Sequence, residues 1–232
     1  MKAVIVAAGE GKRIADITGG KPKCLLEIGG TTLINRLINQ LKQEGIKEIA
    51  IIVGYKKESI INQIDSSIKV IENPFYTNTN NMASLFCARD FIKGNEFIYV
   101  HGDLIMEDKI INKCSAESGD VVMAVDFKPC DEEAMKVRVE KDLIIESSKE
   151  IPLDKSAGEW IGVIKFSQRG GNMFFTEAKK ALDEGYKNAY DTLVLTRMAQ
   201  QMPIRSSNIT GLPWVEIDFK EDFEKAEMLF NK

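Results

Sequence analysis

Glycines and fixed cations stand together directly after the first strand-like run of the sequence. The stretch AAGEGKR begins at Ala7, and KPK follows with Lys23 as its last residue. Gly9 and Gly11 carry no side chain, so their backbone N–H groups can approach an anionic group closely. Arg13 can bind phosphate oxygens through a forked pair of hydrogen bonds, whereas Lys23 supplies a compact charge. The spacing predicts an anion-binding loop.

Two common phosphate-binding patterns do not fit this loop. A P-loop needs G-x-x-x-x-G-K-[ST], which the sequence lacks. A dinucleotide-binding loop needs G-x-G-x-x-G, but Ile14 stands where the third glycine belongs. The dinucleotide pattern also needs an acid at the end of the second strand, where this chain has Val53, Gly54 and Tyr55. The loop therefore belongs to a different class.

Carboxylates follow two further strand-like runs. Asp103 comes just after EFIYV, and Glu216 and Asp218 alternate in WVEIDF, so the last two face the same side of a strand. Open α/β sheets bind ligands at strand ends, and hard divalent cations take oxygen ligands. These acids are candidate metal ligands. His101 is the only histidine in the sequence, and we expect it to be a structural residue at a strand end.

The opening motif resembles that of the nucleotidyltransferase (pyrophosphorylase-like) superfamily, which reads A-A-G-x-G-x-R followed by P-K. Nucleotidyl transfer needs a divalent cation to neutralise the triphosphate and the charge that develops at the α-phosphorus. The resemblance implies that Arg13 holds the leaving pyrophosphate and that Lys23 stabilises the α-phosphoryl group. It also implies that Asp103 and Asp218 share Mg²⁺, with Glu216 as a third ligand.

The segment NPFYTNTNNMASLFCARDF at Asn73–Phe91 is similar to cytidylyltransferases that act on phosphocholine and 2-aminoethylphosphonate. The stretches DEEAMKV, GEWIGVIKFS and WVEIDFKEDFEKAE extend the resemblance over nearly the whole chain. It implies CTP as the nucleotide and a small phosphonate or phosphate ester as the acceptor. The residues that the resemblance places against the nucleotide are Ala8, Gly9, Gly11, Gly54, Tyr55, Asn81, Ala83 and Ser84.

Residues in the second half of the chain are candidates for binding the acceptor. Aromatic faces bind a quaternary ammonium group, whereas a primary ammonium group also needs oxygen acceptors. Trp160 and Trp214 are candidates for an aromatic wall, and Tyr190 stands beside Asp191, the candidate carboxylate. Lys136 is the candidate cation for the attacking phosphonate. The sequence leaves phosphocholine, 2-aminoethylphosphonate and related phosphonates open as acceptors.

The elements that must position these residues alternate between strand and helix patterns over the first half. Lys2–Ala7 and Glu48–Val53 are typical of buried strands, and helical spacing lies between them. This alternation predicts a Rossmann-like, three-layer α/β fold with a mostly parallel sheet, the nucleotidyltransferase fold. The alternation then gives way to antiparallel patterns such as Met135–Glu140 and Glu159–Phe166. We therefore expect one domain, residues 1–232, with a small antiparallel lid insertion at about residues 128–168.

Composition limits the partners. The 31 Lys and Arg residues and 35 Asp and Glu residues give a net charge of -4, which provides no basic face for nucleic acid. The apolar runs are too short for a membrane span. The four cysteines are scattered without metal-site spacing, which favours a reducing, cytoplasmic location. The oligomeric state stays open, with a homo-oligomer as one alternative.

Other functions share parts of this pattern. A sugar-1-phosphate nucleotidyltransferase uses the same opening loop. A glycosyltransferase also uses a nucleotide and an aspartate at a strand end, but it consumes a nucleotide-sugar and releases no pyrophosphate. A nucleotide-binding subunit without activity is the non-enzyme alternative.

Overall fold

The computed structural model describes residues 1–231. Its strands are β1 (Lys2–Ala7), β2 (Glu27–Ile28), β3 (Thr31–Thr32), β4 (Glu48–Val53), β5 (Lys69–Glu72), β6 (Phe97–His101), β7 (Leu104–Met106), β8 (Val121–Asp126), β9 (Lys136–Glu140), β10 (Leu143–Ser148), β11 (Gly158–Phe166), β12 (Arg205–Asn208) and β13 (Trp214–Glu216). Its α-helices are α1 (Ala15–Thr18), α2 (Leu33–Gln43), α3 (Lys57–Ile61), α4 (Asn81–Cys87), α5 (Arg89–Ile92), α6 (Lys109–Ala116), α7 (Gln168–Asp183), α8 (Asp191–Ala199) and α9 (Lys220–Phe230). Among these residues, no helix combines the length and the apolar composition that crossing a bilayer requires.

The central sheet runs in the order β5-β4-β1-β6-β11-β8-β12. The first four of these strands are parallel, with Ile5 of β1 opposite Ile51 of β4 and Val100 of β6. β11 is antiparallel to both of its neighbours, and β12 is parallel to β8. The structure confirms the predicted α/β class with a mostly parallel sheet.

Alternate residues of β1 enter different cores on the two faces of the sheet. Val4 and Val6 pack with residues of α4, α7 and α8, such as Phe174 of α7. Ala3 and Ile5 pack with residues of α2 and α6 in the second core. Because successive side chains of a strand point to opposite faces, a strand buried on both faces reads as one continuous apolar run. This is the pattern from which the strand was predicted.

A third, smaller core supports the loop that follows β1. It joins Ile14 of that loop to Ile28 of β2, Ile105 of β7, and Ile217 and Ala226 near the end of the chain. β7 and β13 pair antiparallel within this region. The glycine loop is thereby held against the segment that carries the late acidic residues.

Residues 128–168, for which the sequence predicts a lid-like insertion, contain the hairpin β9–β10 and the strand β11. One edge of β11 pairs first with β9, at Gly158 and Glu159, and then with β6, from Val163 to Phe166. The other edge pairs with β8. The hairpin therefore continues the sheet past the carboxyl end of β6.

Two elements differ from the sequence-based expectation. The apolar pattern of Met82–Phe91 predicts one helix, but the structure has two short helices, α4 and α5, which meet at Ala88. β12 was not predicted, because its residues, RSSN, offer neither an apolar alternation nor β-branched side chains. Its pairing with β8 comes from tertiary structure.

Candidate functional site

A cavity of about 400 Å³ opens at the carboxyl ends of β1 and β6. This is the edge of a parallel sheet at which α/β proteins bind their ligands. The loop after β1 forms one wall, and the end of β6 forms the floor. The residues that complete the lining include Asn80, Asn81, Glu133, Met135, Lys149, Trp160, Gly162, Tyr190, Glu216 and Asp218.

The glycine loop presents its backbone to this cavity. Ala8, Gly9 and Gly11 all line it. Gly11 has a left-handed backbone with a φ of +61°, and a Cβ atom there would lie 3.2 Å from Cβ of Lys23. A Cβ atom on Gly9 would meet no atom within 4 Å, so the packing of the chain gives no reason for glycine at that position. Close approach of a ligand to the backbone is such a reason.

The predicted cations and carboxylates meet in one ion-pair cluster. Nζ of Lys23 lies 2.6 Å from Oδ2 of Asp103 and 2.7 Å from Oδ1 of Asp218. Nη2 of Arg13 lies 2.7 Å from Oδ2 of Asp218, and its guanidinium group stacks over the ring of Phe219 at 4.9 Å. The loop, the KPK segment, the end of β6 and the end of the chain thus converge at the cavity.

Electrostatics fixes the charges of this cluster. Burial disfavours the charged form of Lys23, but the attraction of Asp103 and Asp218 outweighs it and raises the pKa of Lys23 above its ordinary value. Burial likewise disfavours the carboxylate of Asp103, but the charges of Lys23 and His101 outweigh it and lower the pKa of Asp103. Both groups are charged at neutral pH. Lys23 can therefore attract an anionic phosphoryl group, and Asp103 can hold a cation, without exchanging protons.

The three predicted metal ligands fall into two groups. Asp103 and Asp218 share Lys23, as described above. Asp103 also belongs to a second group with Glu216 and His101, whose candidate ligand atoms all lie within 4.8 Å of one another. The donors of both groups include carboxylate oxygens, which suit a hard divalent cation such as Mg²⁺. Each group therefore fits a cation by the chemistry of its donors.

His101 is more than a residue that ends a strand. Its Nδ1 lies 3.4 Å from Oε1 of Glu216, and its Nε2 lies 3.4 Å from Oδ2 of Asp191. Burial lowers the pKa of the imidazole, but its hydrogen bonds with Asp191 and Glu216 outweigh this effect and raise the pKa to about 10. The hydroxyl of Tyr99 donates a 2.6 Å hydrogen bond to the same oxygen of Asp191.

The predicted nucleotide residues differ in their access to the cavity. Asn81 lines it, and its side-chain nitrogen lies 3.3 Å from Nε2 of His101. Among residues 1–231, the set that lines the cavity does not include Gly54, Tyr55, Ala83 or Ser84. Ser84 is buried and accepts a hydrogen bond from Asn73.

Gly54 and Tyr55 instead hold the glycine loop in place. A Cβ atom on Gly54 would lie 2.7 Å from the side chain of Tyr76 and 2.8 Å from the carbonyl oxygen of Ala8. The backbone N–H of Tyr55 donates to that same carbonyl oxygen, and its hydroxyl donates to the carbonyl of Gly20. These two residues therefore contact the glycine loop and the segment after it.

The predicted acceptor residues are divided in the same way. Trp160 and Tyr190 line the cavity. Asp191 lies behind the wall, 1% exposed, where it accepts the hydrogen bonds of Tyr99 and His101. Its Oδ1 atom is buried with no hydrogen-bond partner among the described residues.

The structure places two of the predicted acceptor residues, Lys136 and Trp214, away from the cavity lining. Lys136 is fully buried, and its Nζ donates to the main-chain carbonyls of Asp131, Glu132 and Ala134. All of its donors therefore serve the loop before β9. Trp214 donates from Nε1 to Asp126, and Lys128 lies over its ring at 4.4 Å. Neither residue belongs to the part of the described chain that lines the cavity.

The charged residues of the cavity that sequence reasoning missed include Glu133 and Lys149. Nζ of Lys149 lies 3.1 Å from Oε2 of Glu133, and Nη1 of Arg13 lies 3.9 Å from the same oxygen. Lys149 follows β10 in the stretch ESSKEIP, which carries no recognisable motif. Only the path of the hairpin brings it to the cavity.

Comparisons with known proteins identify relatives of this chain. Residues 3–137 match the MobA-like NTP transferase domain family. The chain is 31% identical over 229 residues to the bifunctional IPC transferase and DIPP synthase of Aquifex aeolicus, in a match that covers 97% of this chain and 50% of that protein. The chain thus spans about half the length of that relative.

Two further matches cover both partners almost completely. The CTP:phosphoglutamine cytidylyltransferase of Campylobacter jejuni is 28% identical over 253 residues, which are 97% of this chain and 98% of the relative. The structure of CTP:phosphocholine cytidylyltransferase from Streptococcus pneumoniae superimposes with a TM-score of 0.81 at 22% identity, covering 98% of each chain. This superposition confirms the predicted Rossmann-like nucleotidyltransferase fold.

The family match covers more than half of the chain and begins at the strand that leads into the glycine loop. It confirms the nucleotidyltransferase resemblance predicted from the opening motif. The chain therefore belongs to the MobA-like NTP transferase domain family.

Proposed function

We propose that this protein is a CTP-dependent cytidylyltransferase that joins CMP to a small phosphonate or phosphate ester and releases pyrophosphate. The observation that carries this proposal is the meeting of the glycine loop with Lys23, Asp103 and Asp218 at one edge of the sheet. A loop without side chains beside fixed cations suits a triphosphate. CTP is favoured by the name of the Campylobacter relative and by the resemblance of Asn73–Phe91.

The reaction is a single displacement at phosphorus. An oxygen of the acceptor's phosphoryl or phosphonyl group forms a bond to the α-phosphorus of CTP, and the bond from that phosphorus to the bridging oxygen of pyrophosphate breaks. The attacking group has a second pKa of about 6, so it is largely deprotonated near neutrality. No general base is required, and the residues of the site act by position and charge.

Each cation has a distinct part in this displacement. Arg13 and the backbone of the glycine loop hold the β- and γ-phosphates, which become the leaving group. Lys23 stabilises charge at the α-phosphoryl group. An ammonium group has three donors, and Lys23 uses two of them on Asp103 and Asp218, so the third is available to a phosphate oxygen.

A divalent cation, for which Mg²⁺ is the predicted ion, supplies further neutralisation of the triphosphate when it is bound. Asp103 would hold it, together with carboxylates from the late acidic segment, Glu216 or Asp218. The lowered pKa of Asp103 keeps this residue an anion over the whole physiological range, as a cation ligand must be.

We place the acceptor against Trp160 and Tyr190, which line the cavity, with Lys149 as its cation. Aromatic faces attract an alkylammonium group, and Lys149 supplies a positive charge for the attacking phosphonate or phosphate. The named substrates of the two fully covered relatives, phosphoglutamine and phosphocholine, are both small phosphorylated molecules. We propose an acceptor of the same size, of the 2-aminoethylphosphonate or phosphocholine type.

A pyrophosphate-release assay tests the proposal. CTP, UTP, GTP and dTTP are each combined with phosphocholine, 2-aminoethylphosphonate, phosphoethanolamine and sugar 1-phosphates, with Mg²⁺ or with a chelator. We expect release with CTP and an amine-bearing acceptor, and no release with the chelator. A preference for UTP or dTTP with sugar phosphates would contradict the proposal, and so would binding of CTP without turnover of any acceptor.

A further inference from the structure

The imidazole of His101 is fixed in orientation by its surroundings. The edge of its ring meets Trp160, with ring centroids 5.1 Å apart, and it packs against Tyr99 at 5.3 Å. On a third side lies Gly162, where a Cβ atom would come within 2.6 Å of the ring. Only a glycine leaves room for the imidazole at this point. The ring is therefore held before any ligand binds.

The two nitrogens of this ring face different groups. Nε2 points to the buried carboxylate of Asp191, which also accepts the hydroxyl of Tyr99. Nδ1 points to Glu216 on the cavity side. A carboxylate behind one nitrogen and further candidate ligands at the other is the arrangement that proteins use to orient a metal-binding histidine. Asp191 favours a proton on Nε2, so Nδ1 is the nitrogen that can give up its proton to a cation.

The charges around Nδ1 also favour a cation. The candidate ligand atoms of His101, Asp103 and Glu216 all lie within 4.8 Å of one another. Within residues 1–231, Glu216 forms no ion pair with a lysine or an arginine. Asp218, by contrast, has each of its oxygens paired with a cation, Lys23 on one side and Arg13 on the other. The less neutralised partner of Asp103 is therefore Glu216.

We propose that the divalent cation of this protein binds to His101, Asp103 and Glu216, and that the imidazole makes the site favour Mn²⁺ over Mg²⁺. The proposal rests on the proposed function only for the use of the cation in nucleotidyl transfer. A cation bound to Nδ1 replaces the proton that this nitrogen shares with Glu216. Asp191 and Tyr99 are positioning residues, because they act on the cation through the ring of His101.

The donor set gives the expected selectivity. Mg²⁺ prefers a shell of oxygen ligands, whereas an imidazole nitrogen suits first-row transition metals. A site of two carboxylates and one imidazole therefore binds Mn²⁺ more tightly than Mg²⁺. A site made of Asp103 and Asp218 has oxygen ligands alone and lacks this nitrogen contribution.

Because His101 is the only histidine in the sequence, an imidazole signal from the tag-free protein can be assigned without ambiguity. Mn²⁺ alone, without nucleotide, is added to the full chain, and pulsed electron paramagnetic resonance records the coupling of the metal to nitrogen. We expect ¹⁴N modulation from one coordinated imidazole, which becomes a ¹⁵N signal in protein labelled at histidine. Absence of nitrogen coupling in the Mn²⁺-loaded protein would overturn the proposal.

Variants identify the remaining ligands by Mn²⁺ titration. His101→Gln should lose the nitrogen signal and at least ~10-fold in Mn²⁺ affinity, with a smaller loss in Mg²⁺ affinity. Asp191→Asn keeps the imidazole but loses its orienting carboxylate, so it should also weaken Mn²⁺ binding by about 10-fold. Glu216→Gln should weaken both ions. Glu224→Gln, an exposed change on α9, is the matched control and should leave both affinities unchanged.

Asp218→Asn separates the two candidate groups. In the proposed site this variant retains the nitrogen signal and most of its Mn²⁺ affinity. A loss of Mn²⁺ binding in Asp218→Asn, together with unchanged binding in His101→Gln, would overturn the proposal in favour of the Asp103–Asp218 pair. None of these measurements uses turnover, so a failed pyrophosphate assay and a failed cation assignment remain distinguishable. Circular dichroism verifies that each variant is folded.

Discussion

In the proposed function the cavity has a nucleotide end and an acceptor end, which are built in different ways. The nucleotide end consists of one loop after β1 and the nearby KPK segment, and its cations Arg13 and Lys23 are both paired with carboxylates. The acceptor end collects Trp160 from β11, Tyr190 from the turn before α8, and Lys149 from the segment after β10.

This difference shows that one segment can bind phosphate, whereas recognition of an acceptor needs side chains that the whole fold brings together. One loop of a few residues suffices for a phosphate chain, because backbone N–H groups and two cations recognise phosphate without reading its substituent. An acceptor differs from its competitors in shape and charge, so its recognition needs side chains from several directions. Each of those elements can change without disturbing the nucleotide end. In the proposed enzyme we therefore expect the acceptor end to set specificity.

The replacement Asp103→Asn should have the largest effect, because this residue belongs to both groups of candidate cation ligands. Asp103 pairs with Lys23 and also belongs to the group with His101 and Glu216. Removing its charge should abolish cation-dependent turnover, a loss of at least ~1,000-fold in kcat with every acceptor. Pyrophosphate release measures this loss. Asp90→Asn, an exposed change on α5, is the control, and retained activity in Asp103→Asn would remove this residue from the site.

Lys23→Ala acts on the nucleotide end alone. It removes the ammonium group that lies between Asp103 and Asp218, so kcat should fall by at least ~100-fold, the scale of losing one transition-state donor. The fall should be the same for all acceptors, and the far-ultraviolet circular dichroism should stay that of the folded protein. Lys42→Ala, on the surface of α2, serves as the control. A folded and fully active Lys23→Ala variant would refute the role.

Lys149→Ala tests whether the acceptor end can be changed without affecting the nucleotide end. We expect the KM for the acceptor to rise by ~10-fold or more, because a charged hydrogen-bond partner of the phosphonate is lost, while the KM for CTP stays nearly constant. Steady-state kinetics with each substrate varied in turn measures both values. A parallel rise in both would break the proposed division of the cavity.

Lys136→Met is the matched comparison for Lys149→Ala. It leaves the carbonyls of Asp131, Glu132 and Ala134 without their donor, so the midpoint of thermal unfolding should fall. The KM for the acceptor should not change selectively. A selective rise in that KM would restore Lys136 to the acceptor site.

Two glycine replacements in the loop should have the smallest effects, and they distinguish a glycine needed for folding from one needed for CTP binding. Gly11→Ala places a side chain on a left-handed backbone and against Lys23, so the free energy of unfolding should fall by about 1–2 kcal/mol. Gly9→Ala meets no neighbouring atom, so its stability should be unchanged while CTP affinity decreases, because the methyl group enters the cavity. Urea unfolding and CTP titration separate the two effects. Equal effects on stability would contradict the assigned roles.

The sequence predicted the elements and residues around the glycine loop more fully than those at the acceptor end. Lys2–Ala7 and Glu48–Val53 were predicted to the residue, because a strand buried on both faces has a distinct apolar run. Arg13 and Lys23 were identified from a motif in one short stretch, and Asp103 from its place just after a strand-like run.

The acceptor end could be predicted only in part. Lys136 begins β9 and Lys149 follows β10, and neither stretch indicates which lysine faces the cavity. The pairing of β9 with β10 and β11 decides this. The same holds for His101, since a sequence cannot tell which of its ring nitrogens will face a carboxylate. Contacts between distant segments set these features, and no local pattern records them.

The irregular pairing of β11 has a consequence for insertions and deletions. Between Trp160 and Ile164 the strand has two residues more than the opposing part of β8, and Gly162 has a positive φ within this bulge. Because side chains alternate along a strand, losing one residue from 161–163 would turn Trp160 to the opposite face, whereas losing two would keep it facing the cavity. A two-residue change that retains Gly162 would therefore preserve both the face of Trp160 and the space for the His101 ring.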